Sequence, residues 1–74
     1  ANRHEASAAL ARLSPREQQV FALLPRGLSN AGIAQQLGIA TGTAKIHVER
    51  ILHKLGVSDR TQAAVLAAQW GFRT

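Results

Sequence analysis

Cysteine is absent from the 74 residues, which rules out a disulfide framework and any thiolate metal site. His4, His47 and His53 do not fall at metal-ligand spacing on one face, so neither a metal nor a cofactor is expected. Long apolar runs are missing too. The longest, Val20 to Leu24 and Ala63 to Ala68, fall far short of the about 20 residues that span a bilayer. No leader pattern is visible, and a cytoplasmic chain without membrane partners is the expectation. Paired acids, a phosphate-cradling loop and a nucleophile motif are all lacking, so an enzyme is not expected. Ser14 and Glu17 invite a reading as a catalytic pair, but helix capping accounts for both. Strand-like alternation, internal repeats and low-complexity tracts are also absent. Acidic residues are few, four against nine Lys and Arg, and the net charge is +5 with a pI near 11.6. Such a balance favours a polyanionic partner, a nucleic acid or an anionic surface.

What is present is helical. Hydrophobic residues make up 46% of the chain, enough for one small domain with a thin core and modest stability. Residues 1–12 read as the frayed remnant of a linker from a longer protein, with room for a helical turn near Ala8 to Leu13. The domain is expected over 13–74. Ser14-Pro15-Arg16-Glu17 opens a first helix: Ser14 caps, Pro15 suits the first helical position and Glu17 completes a capping box. Val20, Phe21, Leu23 and Leu24 form its buried stripe, and Pro25 ends it near Leu24. Ser29 caps a second helix with Ile33, Ala34 and Leu37 inward and a weak point at Gly32. Gly38 closes it in a left-handed conformation. A third helix runs from about Thr41 to Lys54, with Ala44, Val48, Ile51, Leu52 and Leu55 on one side. Gly56 stops it. Asp59 caps a fourth helix with Gln62 as its capping-box partner, and this helix extends to about Trp70. The fourth helix carries two apolar stripes. Ala63, Leu66, Ala67 and Trp70 make one; Thr61, Val65 and Ala68 make the other. A terminal helix of so small a domain cannot bury both, so one is expected to meet a partner.

The segment from Ser29 to Leu55, two helices joined by a tight glycine turn, has the helix-turn-helix layout. Small residues, Ala34 and Ala44, suit a close crossing. On the outward face of the third helix Ile46 interrupts a polar surface. It is either an isolated exposed residue or a contact for a thymine methyl in the major groove. Lys45 and Arg50 flank it. Lys45 suits guanine O6 or N7, and Arg50 a phosphate or a base. Glu49 has two readings: an intrahelical pair with Lys45 or protonated His53, or acceptance from cytosine N4. Thr43 suits a phosphate, as do the first-turn amides of this helix and of the second helix at Ser29 and Asn30. Lys54 and Arg60 read as phosphate anchors or as solvated surface charges. His47 lies between the buried and exposed faces with no nucleophile or carboxylate spaced around it, which fits packing or phosphate contact rather than catalysis.

Ordered blocks of the chain resemble the LuxR-type DNA-binding domain, also called the GerE or NarL/FixJ type. They are Leu13-Ser14-Pro15-Arg16-Glu17, Gly27-Leu28-Ser29-Asn30 with Ile33-Ala34, and Leu37-Gly38-Ile39. Gly42-Thr43, Lys45, His47-Val48, Ile51-Leu52 and Lys54-Leu55-Gly56-Val57 follow, then Asp59-Arg60-Thr61-Gln62-Ala63. The likeness covers roughly residues 13–70. It implies an all-α, four-helix domain at the C-terminal end of a bacterial transcription regulator, with a C-terminal dimerisation helix. It further implies double-stranded DNA as partner, the third helix in the major groove and a homodimer on inverted repeats. Lys45, Ile46 and Glu49 match base-contacting positions, and Thr43 and its neighbours phosphate-contacting ones. Thr61, Gln62, Val65 and Ala68 match the dimer face. The output half of a two-component response regulator is the expected setting, and RNA polymerase is a further candidate partner. Several positions depart from the family pattern. Ala40 stands where Ser or Thr usually caps, so Thr41 is expected to shift the cap by one. Gly32 replaces a usual Glu, Ala44 a usual Val, and Glu49 a basic or polar residue. Two other readings compete: a sigma-factor region four module, which normally lacks the added fourth helix, and a protein-interaction bundle whose basic face is only solvated.

Overall fold

The computed structural model describes residues 2–71, and these are helical with no strand among them. Five α-helices follow one another: α1 (Asn2–Leu10), α2 (Pro15–Leu23), α3 (Asn30–Leu37), α4 (Thr41–Leu55) and α5 (Arg60–Gln69). A short 3-10 turn, Leu24–Arg26, extends α2. The four helices expected from the sequence are α2 to α5.

The additional helix, α1, lies where a linker with at most one helical turn was expected. Its alanines are the best helix formers, and the fold gives them something to cover. Ala6, Ala9 and Leu13 are buried, and Leu10 packs against the core. The Gln18 amide then donates to the carbonyls of Leu10 (3.0 Å) and Leu13 (3.3 Å), clasping the end of α1 to α2.

Local chemistry sets most of the boundaries. Glu17 N–H donates to Ser14 Oγ (3.1 Å) and Ser14 N–H to Glu17 Oε1 (2.9 Å), a complete capping box with Pro15 in the first turn. Pro25, which disfavours α-helix in the residue before it, falls where α2 tightens into the 3-10 turn. Ser29 Oγ accepts from Gly32 N–H (3.1 Å) and opens α3. Gly38 closes α3 at φ 67°, and Gly56 closes α4 at φ 68°, a backbone region that side chains other than glycine rarely enter. Ala40 is the N-cap of α4 and supplies no side-chain bond, so Thr41 begins the helix rather than capping it. Asp59 Oδ1 accepts from Gln62 N–H (2.9 Å). The return bond differs from a capping box: Gln62 Oε1 accepts from Ser58 N–H (2.8 Å), one residue before the cap.

The core lies among α2, α3, α4 and α5. Val20, Phe21, Leu23, Ile33 and Ile51 are its large fully buried members. Ala34 and Ala44 are buried where α3 and α4 pack, and their small size permits the close approach. Ala63 and Ala67 of α5 are fully buried, while Leu66 and Trp70 flank them half-covered. The rings of Trp70 and Phe21 lie 5.8 Å apart at 54°, a tilted arrangement that fastens the end of α5 to α2. So fixed, α4 keeps one face in the core and leaves the other open.

Candidate nucleic-acid interface

The open face of α4 is built by helical spacing. Ala44, Val48 and Ile51 are buried, which turns Lys45, Ile46, Glu49, Arg50 and His53 outward. Ile46, Glu49, Arg50, His53 and Lys54 line a shallow, open trough along the helix. Ile46 is 48% exposed; Val65 is the other large aliphatic exposed to this degree among the described residues. An apolar residue at the centre of a charged helix face has no fold-internal partner. Glu49 forms no ion pair: among the described residues the one salt bridge joins Lys54 to Glu17. Its carboxylate is therefore free to accept from an external donor. Thr43 is exposed in the first turn of α4, and Ser29 is exposed at the start of α3 with its hydroxyl occupied by the cap.

Lys54 is committed within the protein. Its Nζ lies 2.6 Å from Glu17 Oε1, and the two side chains are 35% and 3% exposed. The bond pins the C-terminal half of α4 to the first turn of α2. Burial pushes the Glu17 carboxyl upward in pKa. The Lys54 hydrogen bond, the Ser14 N–H and the positive charge of Lys54, with a smaller contribution from His47, outweigh this and hold it below its ordinary 4.5. His47 sits half-buried beside this pair, and its buried Nδ1 has no hydrogen-bond partner. The sequence shows Glu17 as a capping residue. Its second bond, to a residue 37 positions away, leaves no local signal.

Arg60 is likewise engaged. Its Nη1 donates to Asn30 Oδ1 (2.7 Å) and its Nη2 to the Leu28 carbonyl (2.9 Å), 30 and 32 residues away. Asn30 is half-buried by this contact. Further along α5, Thr61, Gln62, Val65 and Ala68 are all exposed, so the second stripe lies open as a continuous face. The structure thus brings Lys45, Ile46, Glu49 and Arg50 together on α4 and sets Thr61, Val65 and Ala68 apart on α5. It gives Lys54 and Arg60 partners inside the domain.

A helix-turn-helix whose second helix offers a basic outward face around an exposed apolar residue defines a DNA-binding domain. The family model for bacterial regulatory proteins of the luxR family matches residues 11–67, and the chain belongs to that family of DNA-binding, non-enzymatic transcription regulators. It is 49% identical over 59 residues to the transcriptional regulatory protein LnrK of Bacillus subtilis, covering 80% of this chain and 27% of the relative. It is 47% identical over 55 residues to LiaR of the same organism, covering 74% and 26%. With the nitrate/nitrite response regulator NarL of Escherichia coli it shares 38% over 69 residues, 93% of this chain and 32% of the relative. The chain thus spans between a quarter and a third of the length of these relatives. Among the described residues no helix is long and apolar enough to cross a membrane.

Proposed function

We propose that this chain reads double-stranded DNA in a sequence-specific way, with α4 in the major groove and two copies on paired half-sites. The observation that carries the reading is Ile46, half-exposed on a face where Lys45 and Arg50 stand to either side. A groove wall lined with thymine methyls gives that isoleucine an apolar contact that solvent does not. Lys45, Ile46 and Glu49 are assigned to base edges. Thr43, Arg50, Ser29 and Asn30 are assigned to the phosphate backbone; Lys54 and Arg60, the other two anchors expected there, are held by internal partners. Thr61, Gln62, Val65 and Ala68 form the face through which two copies meet, with half-sites about one helical turn apart. The likeness to NarL, a nitrate/nitrite response regulator, supports a role as the output part of a cytoplasmic response regulator. RNA polymerase is a natural further partner for such a module.

Fluorescence anisotropy with duplex DNA at low and high salt tests the reading. Affinity should fall steeply as salt rises, because phosphate contacts release counterions. Binding indifferent to salt, or no binding to any duplex selected from random sequence, overturns it.

A further inference from the structure

The guanidinium of Arg60 makes two hydrogen bonds to α3 and the residue stretch before it, yet Arg60 belongs to the first turn of α5. Two of its five N–H groups are spent in this way, and the pairing fixes the plane of the fork against the domain. Here Nη1 and Nη2 each already donate, at 2.7 and 2.9 Å, to acceptors inside the domain. We propose that Arg60 is a positioning residue of the DNA interface: from α5 it holds Asn30 Oδ1 and the Leu28 carbonyl, and so aims the amide of Asn30 at the duplex backbone.

The chemistry of the amide gives the contact its direction. An asparagine side chain has an accepting oxygen and a donating NH2 at opposite corners of one plane. A cationic donor fixed on the oxygen settles which corner is which. The NH2 end must then point away from Arg60, with both its protons available for an acceptor. The Leu28 carbonyl held by Nη2 lies just before Ser29, the cap of α3, so the same guanidinium also fixes where α3 begins. Lysine cannot replace this function. It has one ammonium on a flexible stem and no planar fork to reach both acceptors in a set orientation. Arg60 is therefore distinct from Lys54, whose single bond to Glu17 is within the reach of a point charge.

This inference rests on the DNA-binding reading, and its test separates the two. Wild-type chain, Arg60→Ala, Arg60→Lys, Asn30→Ala and the double variant Arg60→Ala/Asn30→Ala are titrated with a duplex selected from random sequence by the wild type. Titrations run across a salt series, well below each thermal midpoint. Both Arg60 variants should weaken binding by about tenfold, roughly the share of one well-aimed hydrogen bond. The slope of affinity against salt should stay at the wild-type value, because a neutral amide releases no counterion. In the Asn30→Ala background the Arg60→Ala change should have little further effect. A direct phosphate contact gives a different pattern: Arg60→Lys retains affinity, and Arg60→Ala lowers the salt slope by about one. That pattern overturns the proposal. So does a lower thermal midpoint with unchanged affinity, which marks a purely structural clasp. Failure of the wild type to bind any duplex removes the DNA reading itself, and the proposal with it.

Discussion

Glu17 shows how a single side chain is asked to do two things. It closes the capping box of α2 and receives Lys54 from α4 on the same oxygen. Its pKa lies below the ordinary 4.5, so the folded state favours the ionised form. Its contribution to stability is present above the unfolded value and is lost as pH falls through the folded one, since the unfolded chain binds the proton more tightly. The thermal midpoint should therefore fall as pH drops below 4.5. Glu17→Gln should flatten that part of the profile, because glutamine keeps the acceptor for Ser14 N–H and lacks the charge. At neutral pH the same change should cost about 1–2 kcal/mol, less than a fully buried pair because Lys54 is partly solvated. Calorimetry across the acid range measures both effects; an unaltered acid profile in the variant would remove Glu17 as the cause. Lys45→Ala should weaken DNA binding by about 1–3 kcal/mol, with helical content unchanged. A partner protein retained while DNA is bound as before would favour an interaction bundle instead.

Among the elements, α1 differs most from the others in what the sequence reveals, and α3 in how its cap is made. Ser29 caps α3 with half a capping box, because the third helical position is Gly32. A Cβ there would meet Leu28 and Ser29 at 3.4 Å or more, ordinary contact distances. Gly32→Glu should therefore raise stability by about 1 kcal/mol, through helix propensity and the completed box, read as a higher denaturant midpoint. The caps of α2, α3 and α5 and the glycine stops were legible because each depends on residues within four positions. The helix α1 was not, since the buried Ala6 and Ala9 stand among further alanines that blur the stripe, and its hold comes from Gln18 in the next element. The outward stripe of α5 was legible from its spacing. Val65→Glu should leave the circular dichroism of the chain intact and abolish pairing in sedimentation with DNA. Loss of helical signal would place Val65 in the fold's own core and sink the assignment.

At the scale of the whole molecule, the outward face of α4 could be foreseen and its supports could not. Helical periodicity alone separates Ala44, Val48 and Ile51 from Lys45, Ile46 and Arg50. Nothing in the sequence between Glu17 and Lys54, or between Asn30 and Arg60, announces that those residues meet, since the first bond exists only once α2 and α4 have packed and the second only once α3 and α5 have. Among the described side chains, the basic residues consequently divide into those spent on internal bonds and those left for a polyanion, a division that net charge cannot display. One further consequence follows from Ala40. Ser14, Ser29 and Asp59 each lend an oxygen to their helices, while Ala40 lends none to α4. The leading peptide groups of that helix are left without a side-chain acceptor, so their hydrogens should trade rapidly with deuterated solvent in the unbound protein. A duplex whose phosphate oxygens stand in for the missing hydroxyl would slow that trade, and order at the front of the helix would then be supplied by the DNA.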